Sequence, residues 1–242
     1  MAISIDTVYQ KVLAIANKEQ RGYVTPQEFN LFANQAQLTI FEQYFYDIDK
    51  ALEIHGNSTE YSDRISELHE KIAPFEKYNV DMSAVSGSLM TLPTSTTVYK
   101  LGTVFYNDST KSIKVERIDA NQAELMQQTA LYASTQSRPV YVRRSATQLQ
   151  FYPSSASPAY ATSTVNCNYI AKPTKPNWTY VVVNNQALFN STASDAQDFQ
   201  LHASEETQLV NKILELAGIV LNKPGLVQIA ANEDNELMVK KQ

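Results

Sequence analysis

The chain has little of the material from which catalytic and metal sites are usually built. Its 242 residues include one cysteine, Cys167, and the histidines are three: His55, His69 and His202. A single cysteine excludes an internal disulfide and any multi-cysteine metal site. Cys167 stands in Val165-Asn166-Cys167-Asn168-Tyr169, where a small half-buried strand side chain is expected rather than a nucleophile. No histidine has a second ligand at zinc-motif spacing, so no metal is expected. Glycine, at 6 residues, is too scarce for phosphate-cradling loops, and no GxGxxG, GxSxG, HExxH or Walker-type motif occurs. No run approaches the roughly 18 apolar residues of a membrane helix. Met1–Ile5 also lacks the basic start and apolar stretch of a secretion signal. Folding in a cytoplasm, without a membrane partner, is the expectation.

Positive charge is also short. Lys and Arg total 20 against 25 Asp and Glu, for a formal charge of −5. The basic residues are scattered, which argues against a general grip on nucleic acid. An acidic surface repels DNA and suits a conduit through which DNA slides. Arg143-Arg144, with Arg138, is the one dense basic spot. Neighbours on a strand face opposite ways, so edge protection or a salt bridge is expected there rather than a phosphate clamp. Asp47 and Asp49, two apart late in a helix, point to different sides. Glu205-Glu206 behind Ser204 are explained as first-turn partners of the helix dipole. No cofactor and no catalytic residues are expected, and the chain is read as a packing protein rather than an enzyme.

What is present is a helix–strand–helix order. Ile3–Asn17 places Ile5, Val8, Tyr9, Val12, Leu13 and Ala16 on one helical face. The next helix begins with Thr25 as N-cap, Pro26 at the first helical position and Glu28 closing a capping box, and runs to about Ile54. Phe29, Phe32, Ala33, Ala36, Ile40, Tyr44, Ile48 and Leu52 form one stripe on it, while Leu31, Leu38, Phe41 and Phe45 form another. So wide an apolar arc must be covered on more than one side. It is either the central helix of its own domain or partly a surface between subunits, and the intervening Asn34, Gln35, Gln37 and Gln43 are uncharged. A third helix, about Thr59–Lys77, is capped by Ser58.

From Val80 the pattern turns to short Val/Tyr/Thr/Phe segments. Strands are expected at about Leu89–Leu92, Val98–Tyr106, Ser112–Arg117, Val140–Arg144, Gln148–Tyr152, Thr162–Ile170 and Tyr180–Val183, with a helix near Asn121–Tyr132. Asn107-Asp108 and Asn184-Asn185 are candidate turns. Lys172–Asn177 is a stiff extended linker, and Trp178 anchors it against the strands. Ser204 caps a final helix carrying Leu209, Val210, Ile213, Leu214, Ala217, Val220 and Leu221, stopped by Asn222-Lys-Pro-Gly225. The fold class expected is α+β: a helical bundle from N- and C-terminal helices with a β-rich insertion lobe. The parts are 1–79, 80–190 and 191–242.

Several stretches resemble virion structural proteins of tailed bacteriophages, notably crAss-like and related short-tailed types. These are NKEQRGYVTPQEFNLFANQAQLTIFEQYF (Asn17–Phe45), RPVYVRR and LQFYP within Arg138–Pro153, YIAKPTKPNWTY (Tyr169–Tyr180) and DFQLHASEETQLVNKILELAGIVL (Asp198–Leu221). The order of parts is similar to head-to-tail connector proteins, the adaptor rings below the portal. The resemblance implies a virion subunit assembled in the host cytoplasm, with its own copies in a ring of about twelve. Its other partners would be the portal and downstream tail proteins, with DNA only as passing cargo. Candidate subunit contacts are Phe29, Phe32, Leu38, Phe41 and Phe45, and the candidate portal-docking tail is Leu226, Val227, Ile229, Leu237 and Met238. Other virion roles (tail-tube ring, fibre base, cargo protein) and a carbohydrate-binding adhesin stand as alternatives.

Overall fold

The computed structural model describes residues 3–17, 24–53, 59–108, 111–153, 164–184, 186–220 and 232. The largest element is one mixed sheet of eight strands, and the described chain is β-rich. This corrects the expected helical bundle with a smaller β-rich insertion lobe. The physical reason lies first at Glu76. The third helix ends at Ile72 rather than continuing to Lys77, and after a 3₁₀ turn at Ala73–Phe75 the charged Glu76-Lys77 is strand. Two strands that the sequence pattern did not signal, Glu76–Asp81 (β1) and Ser83–Ser86 (β2), then enlarge the sheet. The others are Leu89–Thr91 (β3), Val98–Asp108 (β4), Lys111–Arg117 (β5), Val140–Arg143 (β6), Gln148–Tyr152 (β7) and Val165–Ala171 (β8). Their spatial order is β1-β8-β4-β5-β6-β7-β3-β2, and only β5 and β6 run parallel. Asn107 and Asp108, expected in a turn, pair with Ser112 and Lys111 instead.

The chain divides into two units, one of Phe75–Lys172 and one of Met1–Pro74 with Pro173–Gln242. In the sheet unit, one face buries Met82, Met90, Val104, Leu149, Phe151, Val165 and Cys167. On the other face helix Ala120–Gln128 (α4) sets Ala123 and Met126 against Val140, Val142 and Ile118. β6 is therefore covered on both sides, with Val140, Tyr141 and Val142 all buried, as a strand under a helix should be. It is an interior strand, so Arg143 guards no edge. Its guanidinium donates to the carbonyls of Ser145 and Ala146, at 3.2 and 2.8 Å, and ties the turn into β7. Gly102 sits where the β4–β8 register shifts, and a Cβ there would meet the Asn168 carbonyl oxygen at 3.0 Å.

The second unit holds helices Ile5–Asn17 (α1), Pro26–Glu53 (α2), Thr59–Ile72 (α3) and Glu206–Val220 (α5), with α2 packed on α3 and α5. A single 3₁₀ turn, Ala203–Glu205, leads into α5. The capping box forms as its residues require. The Thr25 amide donates to Glu28 Oε2 at 2.9 Å, and the Glu28 amide donates to Thr25 Oγ1 at 3.3 Å. The hydrogen bonds from the Thr25 hydroxyl and then its amide hold the Glu28 carboxyl below the ordinary glutamate value.

Glu205 departs from its expected role as a dipole partner. It is buried, and Lys71 Nζ of α3 reaches its Oε1 at 3.1 Å and that of Glu67 at 2.9 Å. Burial pulls the Lys71 ammonium down, but the hydrogen bond to Glu67 and the charge and hydrogen bond of Glu205 outweigh this and leave it above the ordinary lysine value.

Lys71→Met, which removes the cation beside buried Glu205, should cost about 3–5 kcal/mol. Lys71→Met/Glu205→Met should recover most of that loss in denaturant melts. A carboxyl held below its ordinary value stabilises fully above that value and loses its contribution as pH falls through the folded one. Protection factors for hydrogen exchange in the first turn of α2 should therefore fall as pH drops below the ordinary glutamate range, and Glu28→Gln should remove that fall.

Candidate interaction surface

The segment that returns from the sheet unit carries the most distinctive surface. Pro173 and Pro176 hold it extended, and two amides of α2 grip it. Gln37 Nε2 donates to the Thr174 carbonyl at 2.7 Å, while Gln37 Oε1 accepts from the Gln200 amide at 3.0 Å. One turn pair earlier, Asn30 Oδ1 accepts from the Trp178 amide at 2.8 Å and Asn30 Nδ2 donates to the Trp178 carbonyl at 3.2 Å. Residues 30 and 37 lie on one helical face, so α2 presents a short polar track to an extended chain. Gln37 is fully buried, and both its donor and acceptor are used.

Trp178 is the anchor, as its position after the prolines implied, but it grips helices as well as strands. Its indole Nε1 donates to Asp6 Oδ1 of α1 at 3.0 Å, and its ring lies 4.2 Å from that of Tyr9. Beyond it, Tyr180–Val183 (β9) and Gln186–Phe189 (β10) form a separate two-stranded antiparallel ribbon. Asn184, with φ of 49°, is in a turn directly after β9, as the sequence predicted for it, and Asn185 lies outside the described residues. Tyr180 and Phe189 pair across the ribbon and both stack on Trp178, each at 5.8 Å. The opposite face holds Val181, Val183 and Leu188 in the open, with Val181 and Leu188 each 51% exposed, and Val182 near the tip is 62% exposed. No charged residue occurs from 176 to 194. Sequence reasoning found β9 but missed β10, because Gln186-Ala187-Leu188-Phe189 has only one strong strand former.

The predicted contacts on α2 are dispersed. Phe29 and Phe41 are fully buried in their own unit and have no area to give a partner. Phe32, Leu38 and Phe45 are half-buried, with Phe45 edge-on to Phe41 at 5.1 Å. Among the described residues of this helix, the open large apolar side chains are Leu31 and Tyr46. Leu226, Val227, Ile229, Leu237 and Met238 lie outside the described residues, as do His55 and Ser58.

Of the residues weighed for chemistry, Cys167 is fully buried rather than half-buried, and burial pushes its thiol up to about 11. His202 Nδ1 accepts from the Ser204 amide at 3.3 Å and so caps the 3₁₀ turn, a role expected of Ser204. His69 is exposed. Among the described residues, no three of His, Cys, Asp and Glu stand close enough to hold a metal ion. No protein-family model matches the chain, and no curated protein matches it either.

Because Trp178 joins the ribbon to α1 and α2, Trp178→Ala should cost about 3–5 kcal/mol. It should also raise hydrogen exchange in 180–189 well above any change in the sheet unit, measurable by mass spectrometry.

Proposed function

We propose that this chain is a virion structural subunit of a tailed bacteriophage, building a ring between portal and tail. In this reading it acts as a head-to-tail adaptor around passing DNA, and its work is binding other proteins rather than catalysis. The observation that carries it is the uncharged, solvent-open β9–β10 ribbon. A strand pair with bare apolar side chains on an otherwise acidic protein is a surface suited to association. The resemblance of Asn17–Phe45, Arg138–Pro153, Tyr169–Tyr180 and Asp198–Leu221 to virion structural proteins of tailed bacteriophages gives that association its setting. The net charge of −5 suits a wall that DNA must pass without adhering. The residues after Pro224 are the proposed portal-docking segment, and the half-buried Phe32, Leu38 and Phe45 are candidate flanking contacts.

Quantitative mass spectrometry of purified particles tests this. The chain should appear at one fixed level of about twelve copies per particle, and a chain truncated after Pro224 should be lost from the particles. Finding the chain only in host cytoplasm would overturn the proposal.

A further inference from the structure

Free sheet edges are treated unequally in this chain. β1, at one edge of the large sheet, carries Glu76, Lys77 and Asp81, and a register shift between Lys77 and Val80 bends it. Charges and bulges of this kind stop a strand from pairing with another molecule. β2, at the other edge, is interrupted by a register shift between Ala84 and Ser86. The β9–β10 ribbon has neither protection. Its register is unbroken over four pairs, no charge lies on it, and among the described residues no further strand flanks either edge. Two strands alone make a marginal sheet, and stability rises sharply when a third is added.

We infer that the ribbon is completed by a second copy of this chain, with β9 of one copy adding to β10 of the next. The inference rests on the self-assembly in the proposed function and specifies where it occurs. Charge favours this occupant. Copies bearing −5 repel one another, so the least costly contact between them is an uncharged patch. A partner recognised by charge would find nothing to pair with between residues 176 and 194. The topology agrees. β9 and β10 are antiparallel, so copies related by a small rotation place β10 of one antiparallel to β9 of its neighbour. The ladder then continues with unchanged polarity, and the contact joins two different edges, the head-to-tail kind that closes a ring.

Sedimentation velocity of the full chain, with Val181→Lys and Val182→Lys, tests this. Both positions are solvent-open, so the lysines should leave the far-ultraviolet circular dichroism and melting curve unchanged. The unsubstituted chain should self-associate, and each lysine variant should need about tenfold or more higher concentration to do so. As a second arm, Val182→Cys chains mixed with Ala187→Cys chains should oxidise to mixed dimers in preference to dimers of either variant alone. The inference is overturned if the unsubstituted chain stays monomeric throughout its soluble range. Association unaffected by the lysines overturns it too, as does a loss confined to binding another virion protein. A ring in particles that survives Val182→Lys would sink the inference and leave the proposed function standing. Ribbon-mediated association of a chain absent from particles would do the reverse.

Discussion

The helical unit depends on how α2 holds a chain that has left it and come back. Its sequence is split by the whole sheet unit, so its two halves meet only if the returning segment at 173–200 is pinned. Asn30 and Gln37 do this by supplying to an extended backbone the donors and acceptors that a neighbouring strand would supply. The cost of burying an amide is then met at both its ends, and removing either residue would leave backbone groups unpaired. Trp178 adds the apolar part of the same clamp. Its ring is enclosed by Tyr9, Tyr180 and Phe189, and its N–H is fixed to Asp6.

The ribbon follows from that clamp. Tyr180 and Phe189 place one face on Trp178, so the other face is turned away from it, and Val181, Val183 and Leu188 are exposed among the described residues. The buried Lys71–Glu205 pair at the start of α5 is a different device. It ties α3 to the turn before α5 by charge.

Local signals in the sequence were legible where the physics is local. Thr25, Pro26 and Glu28 mark a helix start because the capping box involves only neighbours in the chain. Asn184 marks a turn after β9 because Asn tolerates positive φ. Leu209, Val210, Ile213 and Leu214 mark a buried helical face by spacing alone. What stayed hidden depends on distant partners. Glu205 resembles a dipole partner until Lys71, far away in the chain, is placed beside it. Glu76-Lys77 continues a charged helical pattern, and only pairing with Ile170 and Tyr169 makes it strand, which enlarged the sheet beyond the expected lobe. The amides of α2 were visibly uncharged, but the backbone they hold was not. On α2 the apolar arc could be read, yet its division into buried Phe29 and Phe41 and open Leu31 and Tyr46 is set by tertiary packing.

The central claim is that copies of this chain associate through the β9–β10 ribbon around a ring. A cryo-microscopy map of the intact particle at side-chain resolution tests it most directly. The account predicts a closed ring in the neck in which β9 of each copy is paired with β10 of the next. A ring whose ribbons stand apart in solvent, or a neck in which this chain is absent, would contradict it.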